Sequence, residues 1–152
     1  MQVDVGDKFP VEQLGRPLDG PAIVYFYPAD FTPGCELEAR NFNSVYDEFR
    51  QLGVEVIGVS TNSADSHENW TQECGLRFPL VADPDAELTT SLGLMKQYGD
   101  YGEFADRVTF LLDRDGTVKR VWTVEDIDAH AAEALLDHIA GIGVPILEPQ
   151  PP

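Results

Sequence analysis

Short, uninterrupted runs of apolar residues recur along the chain and predict strands that are buried on both faces. Each run is bounded by proline, glycine or polar residues, and its length suits a strand better than a helix. The strands predicted from such runs are residues 22–27, 54–60, 78–82 and 107–112, and residues 117–124 are predicted to form a fifth strand because they follow a hairpin turn. Glycines and prolines punctuate residues 1–21, which are predicted to form loops around at most one short strand at residues 9–14.

Apolar residues at helical spacing follow the first strand. Thr32 and Pro33 are typical of a helix N-cap and of the first helical position, and Gly53 is placed to end the helix that they open. The predicted apolar stripe of this helix is Leu37, Phe42, Val45, Tyr46, Phe49 and Leu52.

The order of the remaining elements predicts the fold. They are a helix capped by residues 61–63 that ends near Cys74, a short helix through Leu92, a loop at residues 93–102, a hairpin turn at residues 113–116, and a last helix on Ile127, Ala131, Leu135, Leu136 and Ile139. The order βαβαβ, then a β-hairpin, then α, indicates a thioredoxin-like α/β fold with a central mixed sheet flanked by helices. We expect one domain over residues 1–142 and a Pro-rich tail at residues 143–152.

The composition argues against several classes of function. With 27 acidic and 10 basic residues the formal net charge is −17, so the chain lacks the basic footprint of a nucleic-acid binder or of a protein on an anionic membrane. This acidity fits either an ordinary soluble surface or adaptation to high salt. The first residues lack the features of a signal peptide, and the apolar runs are too short to span a bilayer, so we expect a cytoplasmic protein.

Cys35 has the sequence setting of a reactive thiol. It falls in the first turn of a predicted helix, where unpaired N–H groups and the helix dipole favour a thiolate over a thiol. Gly34 leaves backbone amides free to meet a small anion, and Thr32 offers a hydroxyl. Pro28, at the strand end, is placed to shield the sulfur from bulk water. A free cysteine usually acts as a small buried hydrophobic residue, but the sequence around Cys35 favours a reactive thiol instead.

Residues 25–35, Tyr-Phe-Tyr-Pro-Ala-Asp-Phe-Thr-Pro-Gly-Cys, resemble the peroxidatic-cysteine loop of peroxiredoxins. The similarity is to the bacterioferritin comigratory protein (peroxiredoxin Q) group, and the pattern Pro-x-x-x-Thr-x-x-Cys is complete. Further segments match the group in order at residues 56–61, 78–83 and 107–113. The resemblance extends from about Gly6 to Ile139, which is nearly the whole domain.

This resemblance implies a thiol peroxidase that reduces hydrogen peroxide and small alkyl hydroperoxides without metal, haem, flavin or selenium. It implies that Cys35 attacks the O–O bond and becomes a sulfenic acid, while Thr32 and the amides near Gly34 hold the two oxygens. It places Arg107 beside the thiolate, where a guanidinium stabilises the charge on the departing oxygen. Without the resemblance, Arg107 is an ordinary strand-end arginine in an ion pair. Thioredoxin or a similar dithiol is the expected reductant, and a monomer the expected state.

The resolving step leaves two interpretations open. Many members of the group carry a second cysteine five residues after the first, where this chain has Arg40, interpreted as a surface charge. Cys74 is the only other cysteine. It either attacks the Cys35 sulfenic acid, which requires the helices to loosen because a disulfide needs Cα atoms within about 7 Å, or it is a core residue on the helix face of Trp70 and an external thiol resolves Cys35.

Other motifs in the sequence do not indicate a metal site. Residues 113–116 lack the acidic first ligand of a calcium loop and are predicted to be a hairpin turn. His67, His130 and His138 lack metal-ligand spacing and are predicted to be solvated helix residues. A second functional hypothesis is a redox-sensing or chaperone-like thioredoxin-fold protein, in which oxidation of Cys35 signals to a partner.

Overall fold

A computed structural model describes residues 3–123 of the chain. Its elements are, in order, a 3₁₀ turn (Val11–Leu14), β1 (Ala22–Phe26), α1 (Pro33–Ser44), α2 (Tyr46–Gln51), β2 (Glu55–Ser60), α3 (Ala64–Cys74), β3 (Leu80–Ala82), α4 (Glu87–Ser91), β4 (Met95–Gln97), a second 3₁₀ turn (Gly99–Tyr101), β5 (Glu103–Ala105), β6 (Val108–Leu112) and β7 (Val118–Thr123). The predicted last helix, His130, His138 and the tail at residues 143–152 lie outside the described residues.

Five strands form the central sheet in the order β3-β2-β1-β6-β7. Strands β3, β2 and β1 run parallel, and β6 and β7 are antiparallel additions on the other side of β1. The predicted mixed sheet with flanking helices is therefore confirmed, and the predicted strand bounds agree with the observed ones to within two residues. All five residues of β1 are buried, because this strand is paired on both sides and covered on both faces.

The two faces of β1 bury two separate apolar cores, since alternate side chains of a strand point in opposite directions. Ile23 and Tyr25 face the core that also contains both cysteines. Val24 and Phe26 face a second core with the first residues of the chain and with α4. Cys35 and Cys74 thus lie in the same core, although they belong to different helices.

The single helix predicted from residue 33 to Gly53 is wrong, because the chain breaks it at Val45. The backbone of Val45 leaves the helical region at φ −111° and ψ 15°, and its carbonyl accepts the first bonds of α2. The hydroxyl of Ser44 donates to the carbonyl of Asn41 at 2.8 Å, a local bond of the kind that competes with helix continuation. Leu37, placed in the predicted apolar stripe, is 37% exposed.

Two other predictions differ from the structure. Residues 11–14 form a 3₁₀ turn rather than a strand, since Pro10 has no N–H for a ladder and its carbonyl instead accepts from Gln13. The predicted loop at residues 93–102 contains β4, which pairs with β5 in a separate two-stranded sheet. Strands of three residues with exposed polar side chains leave no apolar run to be recognised.

The predicted caps and the predicted hairpin turn are confirmed. The hydroxyl of Ser63 accepts from the N–H of Ser66 at the start of α3, and Gly75 ends that helix in the left-handed conformation. At residues 113–116, the N–H of Gly116 donates to the carbonyl of Asp113, and β7 follows.

Within residues 3–123, no helix combines the length and apolarity needed to cross a bilayer.

Two fully buried tyrosines on and after β1 differ in their polar contacts. The hydroxyl of Tyr27 donates to Asp30 Oδ1 at 2.6 Å, whereas that of Tyr25 has no hydrogen-bond partner among the described residues. Tyr25 stacks on Phe42 with 4.5 Å between ring centroids, and a Cβ at Gly58 would lie 3.0 Å from the Tyr25 ring. Glycine in β2 therefore makes room for this ring, and burial raises the pKa of both phenols.

We predict opposite effects of removing the two hydroxyls. Tyr27→Phe should lower the free energy of unfolding by about 1–3 kcal/mol, because it deprives a buried carboxylate of a donor. Tyr25→Phe should leave stability unchanged or raise it, because it removes a buried hydroxyl without a partner. Denaturant unfolding of both variants beside wild type checks this, and equal losses in the two variants would contradict it.

Candidate active site

Cys35 is positioned by the start of α1, as predicted. Thr32 is the N-cap residue with extended backbone, and Pro33 is the first helical residue. The N–H of Glu36 donates to the carbonyl of Thr32 at 2.8 Å and forms the first helical bond. The amides of Gly34 and Cys35 precede this bond and have no acceptor within the helix. Cys35 is 1% exposed, so its sulfur is buried at the positive end of the helix.

Arg107 contacts the sulfur directly. Its Nη2 donates to Cys35 Sγ at 3.2 Å, and its Nη1 donates to Glu38 Oε1 at 3.1 Å. Arg107 directly precedes β6, and its side chain is only 16% exposed. The predicted proximity of Cys35 and Arg107 is therefore present in the structure, and the charge on the guanidinium favours the anionic form of the sulfur.

Glu38 completes this cluster and was not among the predicted site residues. It lies three residues after Cys35 on the same side of α1, with a side chain that is 4% exposed. Burial raises the pKa of the Glu38 carboxyl from 4.5 to about 7, although Arg107 acts in the opposite direction. When Glu38 is protonated, the charge of Arg107 is available to Cys35 alone. The i, i+3 spacing of a cysteine and an acid is the signal that could have identified Glu38.

Thr32 and Pro28 lie in the loop that precedes Cys35. The Thr32 hydroxyl donates to the carbonyl of Ala29 at 3.1 Å, so it closes the loop and makes no side-chain cap of α1. Pro28 is buried, which agrees with a shielding position. Between them, Phe31 has a φ of 62°, in the left-handed region that residues other than glycine seldom adopt, and its side chain is 53% exposed.

His67 is not a solvated helix residue, and this prediction was wrong. It is 4% exposed, with Nδ1 2.7 Å from Asp30 Oδ2 and Nε2 3.1 Å from the carbonyl oxygen of Val81. The spacing that turns Trp70 and Cys74 toward the protein also turns His67 inward. Asp30 was not singled out from the sequence, because nothing local distinguishes it from a surface aspartate of the loop.

Cys74 is the last residue of α3 and packs in the core with Trp70, as expected from their spacing. Its thiol lies 3.8 Å from Glu36 Oε1, and Glu36 directly follows Cys35. Burial raises the pKa of the Cys74 thiol. Both cysteines are free. Arg40 pairs with Glu36 at 3.1 Å on the exposed side of α1, which confirms its interpretation as a surface charge.

Comparison with known sequences identifies close counterparts. The AhpC/TSA family matches residues 4–121 of this chain. Peroxiredoxin Bcp of Xanthomonas campestris is 38% identical over 116 residues, which cover 74% of this chain and 72% of that protein. Peroxiredoxin Bcp of Bacillus subtilis is 34% identical over 116 residues, which cover 74% of each. The similarity therefore spans most of the chain and includes the Cys35 loop and Arg107.

Solved structures show the same fold. A cysteine-to-serine mutant of peroxiredoxin Q from Xylella fastidiosa superimposes with a TM-score of 0.82 at 29% identity and covers 93% of this chain and 98% of its own. The bacterioferritin comigratory protein of Xanthomonas campestris, whose trapped intermediate and ligand complexes concern alkyl peroxide reduction, gives a TM-score of 0.77 at 31% identity. It covers 91% of this chain and 99% of its own. The predicted thioredoxin-like arrangement is thereby confirmed.

The raised pKa of Glu38 predicts a pH-dependent loss of stability. Between pH 4.5 and about 7 the native state binds the Glu38 proton more tightly than the unfolded chain does, so stability falls as pH rises through this window. Glu38→Gln removes this titration. The free energy of unfolding of wild type, relative to the variant, should fall by on the order of 3 kcal/mol across the window.

Unfolding at a series of pH values measures this difference. Glu36→Gln, which removes an exposed carboxylate from the same helix, controls for the loss of one negative charge. A difference between wild type and Glu38→Gln that stays constant with pH would show that Glu38 does not titrate in this window.

Proposed function

The chain belongs to the AhpC/TSA family of peroxiredoxins and is a thiol-dependent peroxidase, and we propose that Cys35 is its peroxidatic cysteine. The observation that carries this proposal is the 3.2 Å bond from Arg107 to Cys35 Sγ at the start of α1. A guanidinium and a helix N-terminus both favour the thiolate, which is the nucleophilic form of cysteine. Cys74 has a different environment, in which burial raises the pKa of the thiol.

The first step is oxidation of Cys35 by a hydroperoxide. The thiolate attacks one peroxide oxygen, so an S–O bond forms as the O–O bond breaks, and the sulfur loses two electrons to become a sulfenic acid. The departing oxygen takes up a proton and leaves as water or an alcohol. Arg107 stabilises the negative charge that develops on this oxygen, and the amides of Gly34 and Cys35, which have no acceptor within the helix, are available to the peroxide oxygens.

The loop residues complete the pocket. The Thr32 hydroxyl donates its hydrogen bond to the carbonyl of Ala29. Its oxygen is therefore free to accept a hydrogen bond from the O–H of a bound hydroperoxide. Pro28 keeps bulk water from the sulfur. The substrates that we propose are hydrogen peroxide and small alkyl hydroperoxides, and the Xanthomonas campestris relative is associated with alkyl peroxide reduction.

We assign the resolving step to Cys74. Its sulfur attacks the Cys35 sulfenic acid, an S–S bond forms, the S–O bond breaks and water leaves. The contact between Cys74 and Glu36 places this thiol beside the residue that follows Cys35, which supports the assignment. A dithiol of the thioredoxin type then reduces the disulfide. In the competing interpretation Cys74 is a core residue and an external thiol resolves Cys35.

The working state that we propose is a cytoplasmic monomer whose partners are a hydroperoxide and a thioredoxin-like reductant, without nucleic acid or membrane. The redox-sensing or chaperone-like alternative is not favoured, since the relatives are peroxiredoxins.

Intact-mass analysis after one equivalent of hydrogen peroxide, without reductant, tests the assignment. Wild type should lose two hydrogens and form an internal disulfide. Cys74→Ser should instead gain one or two oxygen atoms and stop as a sulfenic or sulfinic acid. Cys35→Ser is the matched control and should not change mass, because burial raises the pKa of the remaining Cys74 thiol and keeps it in the unreactive protonated form.

The other possible outcomes would assign different roles to the two cysteines. Oxygen addition to both wild type and Cys74→Ser would make Cys74 structural and assign the resolving step to an external thiol. Peroxide turnover by Cys35→Ser would overturn the role of Cys35.

A further inference from the structure

A buried polar cluster beside the Cys35 loop has no part in the reaction described above. Its centre is the carboxyl group of Asp30, whose side chain is fully buried. Oδ1 accepts from the hydroxyl of Tyr27 at 2.6 Å, and Oδ2 accepts from Ser66 at 2.8 Å and lies 2.7 Å from His67 Nδ1. A buried polar network whose members are all hydrogen-bonded makes its part of the fold rigid, and the loss of one member leaves the others unpaired.

The hydrogen bonds fix the protons of the Asp30–His67 pair. His67 Nε2 faces the carbonyl oxygen of Val81 at 3.1 Å, and because a carbonyl only accepts, Nε2 carries a hydrogen. The short contact between Nδ1 and Oδ2 therefore holds one proton, whichever atom carries it. Breaking the pair leaves polar groups unpaired in the interior.

The pair joins parts of the chain that are distant in sequence. Asp30 belongs to the loop between β1 and α1, whereas Ser66 and His67 belong to the first turn of α3. The backbone N–H of Asp30 also donates to the side chain of Asn62 at 2.9 Å, just before α3. The loop that carries the Cys35 pocket is thus bound to the start of the helix that ends at Cys74.

The backbone conformation of Phe31, the next residue, is the part of the loop that this attachment holds in place. Its backbone has a φ of 62°, a left-handed conformation that residues other than glycine seldom adopt. Its ring is half exposed and lies 6.3 Å from that of Trp70. The bonds of Asp30 on one side and of Thr32 on the other fix the loop in this conformation. The Asp30–His67 pair adds a side-chain attachment to these two bonds, and without it the backbone at Phe31 is held less firmly.

Resting on the role of Cys35 proposed above, we propose that Asp30 and His67 are positioning residues that hold the Cys35 loop in its peroxide-reacting conformation. Separation of the Asp30–His67 pair then precedes the meeting of Cys35 with a resolving thiol. The sulfur is 1% exposed, so a thiol reaches it only when the loop or α1 moves.

This proposal concerns the two fates of the sulfenic acid. A second peroxide converts it to a sulfinic acid, as another S–O bond forms, the O–O bond breaks and water leaves. That reaction needs the pocket in place, with Arg107 and the helix amides around the sulfur. Attack by a thiol needs the loop released. The Asp30–His67 pair therefore sets the ratio of sulfinic acid to disulfide.

Peroxide titration in the presence of a fixed concentration of dithiothreitol measures this ratio, with sulfinic acid scored by intact mass. Asp30→Ala and His67→Leu should each need about tenfold more peroxide for half-conversion to sulfinic acid, the factor expected for loss of a hydrogen bond to a charged group. The double variant should match the single variants, because the two residues act as one unit.

Two further variants separate positioning from general stability. Ser66→Ala removes only one donor to Asp30, so it should fold and shift the titration in the same direction by a smaller factor. Asp83→Ala is the matched control, since Asp83 is a buried carboxyl group whose side chain binds the N–H groups of Leu88 and Thr89 at α4. It should lower the melting temperature without moving the titration.

An unchanged titration in Asp30→Ala, His67→Leu and Ser66→Ala, with normal oxidation of wild type, would overturn the positioning role. An equal shift in Asp83→Ala would overturn it as well, because the effect would then follow stability. Absence of any oxygen addition to wild type would be a failure of the Cys35 assignment itself and is distinguished by its mass.

Discussion

One buried guanidinium organises the site. Arg107 binds the sulfur of Cys35 and the carboxyl group of Glu38 at once, so the start of β6 is joined to the first two turns of α1. The sheet makes this contact possible. β6 lies antiparallel to β1 with Tyr25 opposite Thr109, and the same register, continued by two residues, brings Arg107 opposite Tyr27. The loop to α1 begins at that point. A buried cation needs buried partners, and α1 supplies both of them from one face.

Structural features that depend on a local pattern of residues could be predicted from the sequence. Apolar runs predicted four strands of the central sheet because each of them has a hydrophobic segment of its own, and the hairpin turn at residues 113–116 predicted the fifth. Thr32, Pro33 and Gly75 predicted helix ends through backbone preferences that hold in any fold. The position of Cys35 followed from these elements. Arg107 was identified by resemblance, and its contact with the sulfur depends on the pairing of β1 with β6.

Features that depend on contacts across the fold were not predictable in the same way. Asp30 and His67 are 37 residues apart, and each has an ordinary local context for a surface residue. The break at Val45 reflects a balance between Ser44 and the backbone that helical spacing does not express. Strands β4 and β5 are too short to show a pattern. These residues were missed because their environment is created by parts of the chain that are distant in sequence.

The burial of Cys35 also has a consequence for the speed of the catalytic cycle. Cys35 is 1% exposed, so a bulky protein thiol reaches its sulfur only after the protein opens. In the cycle proposed above, the oxidant reacts with the closed form and the reductant with an open one. Turnover therefore has a ceiling set by the opening of the protein, which neither more peroxide nor more reductant raises.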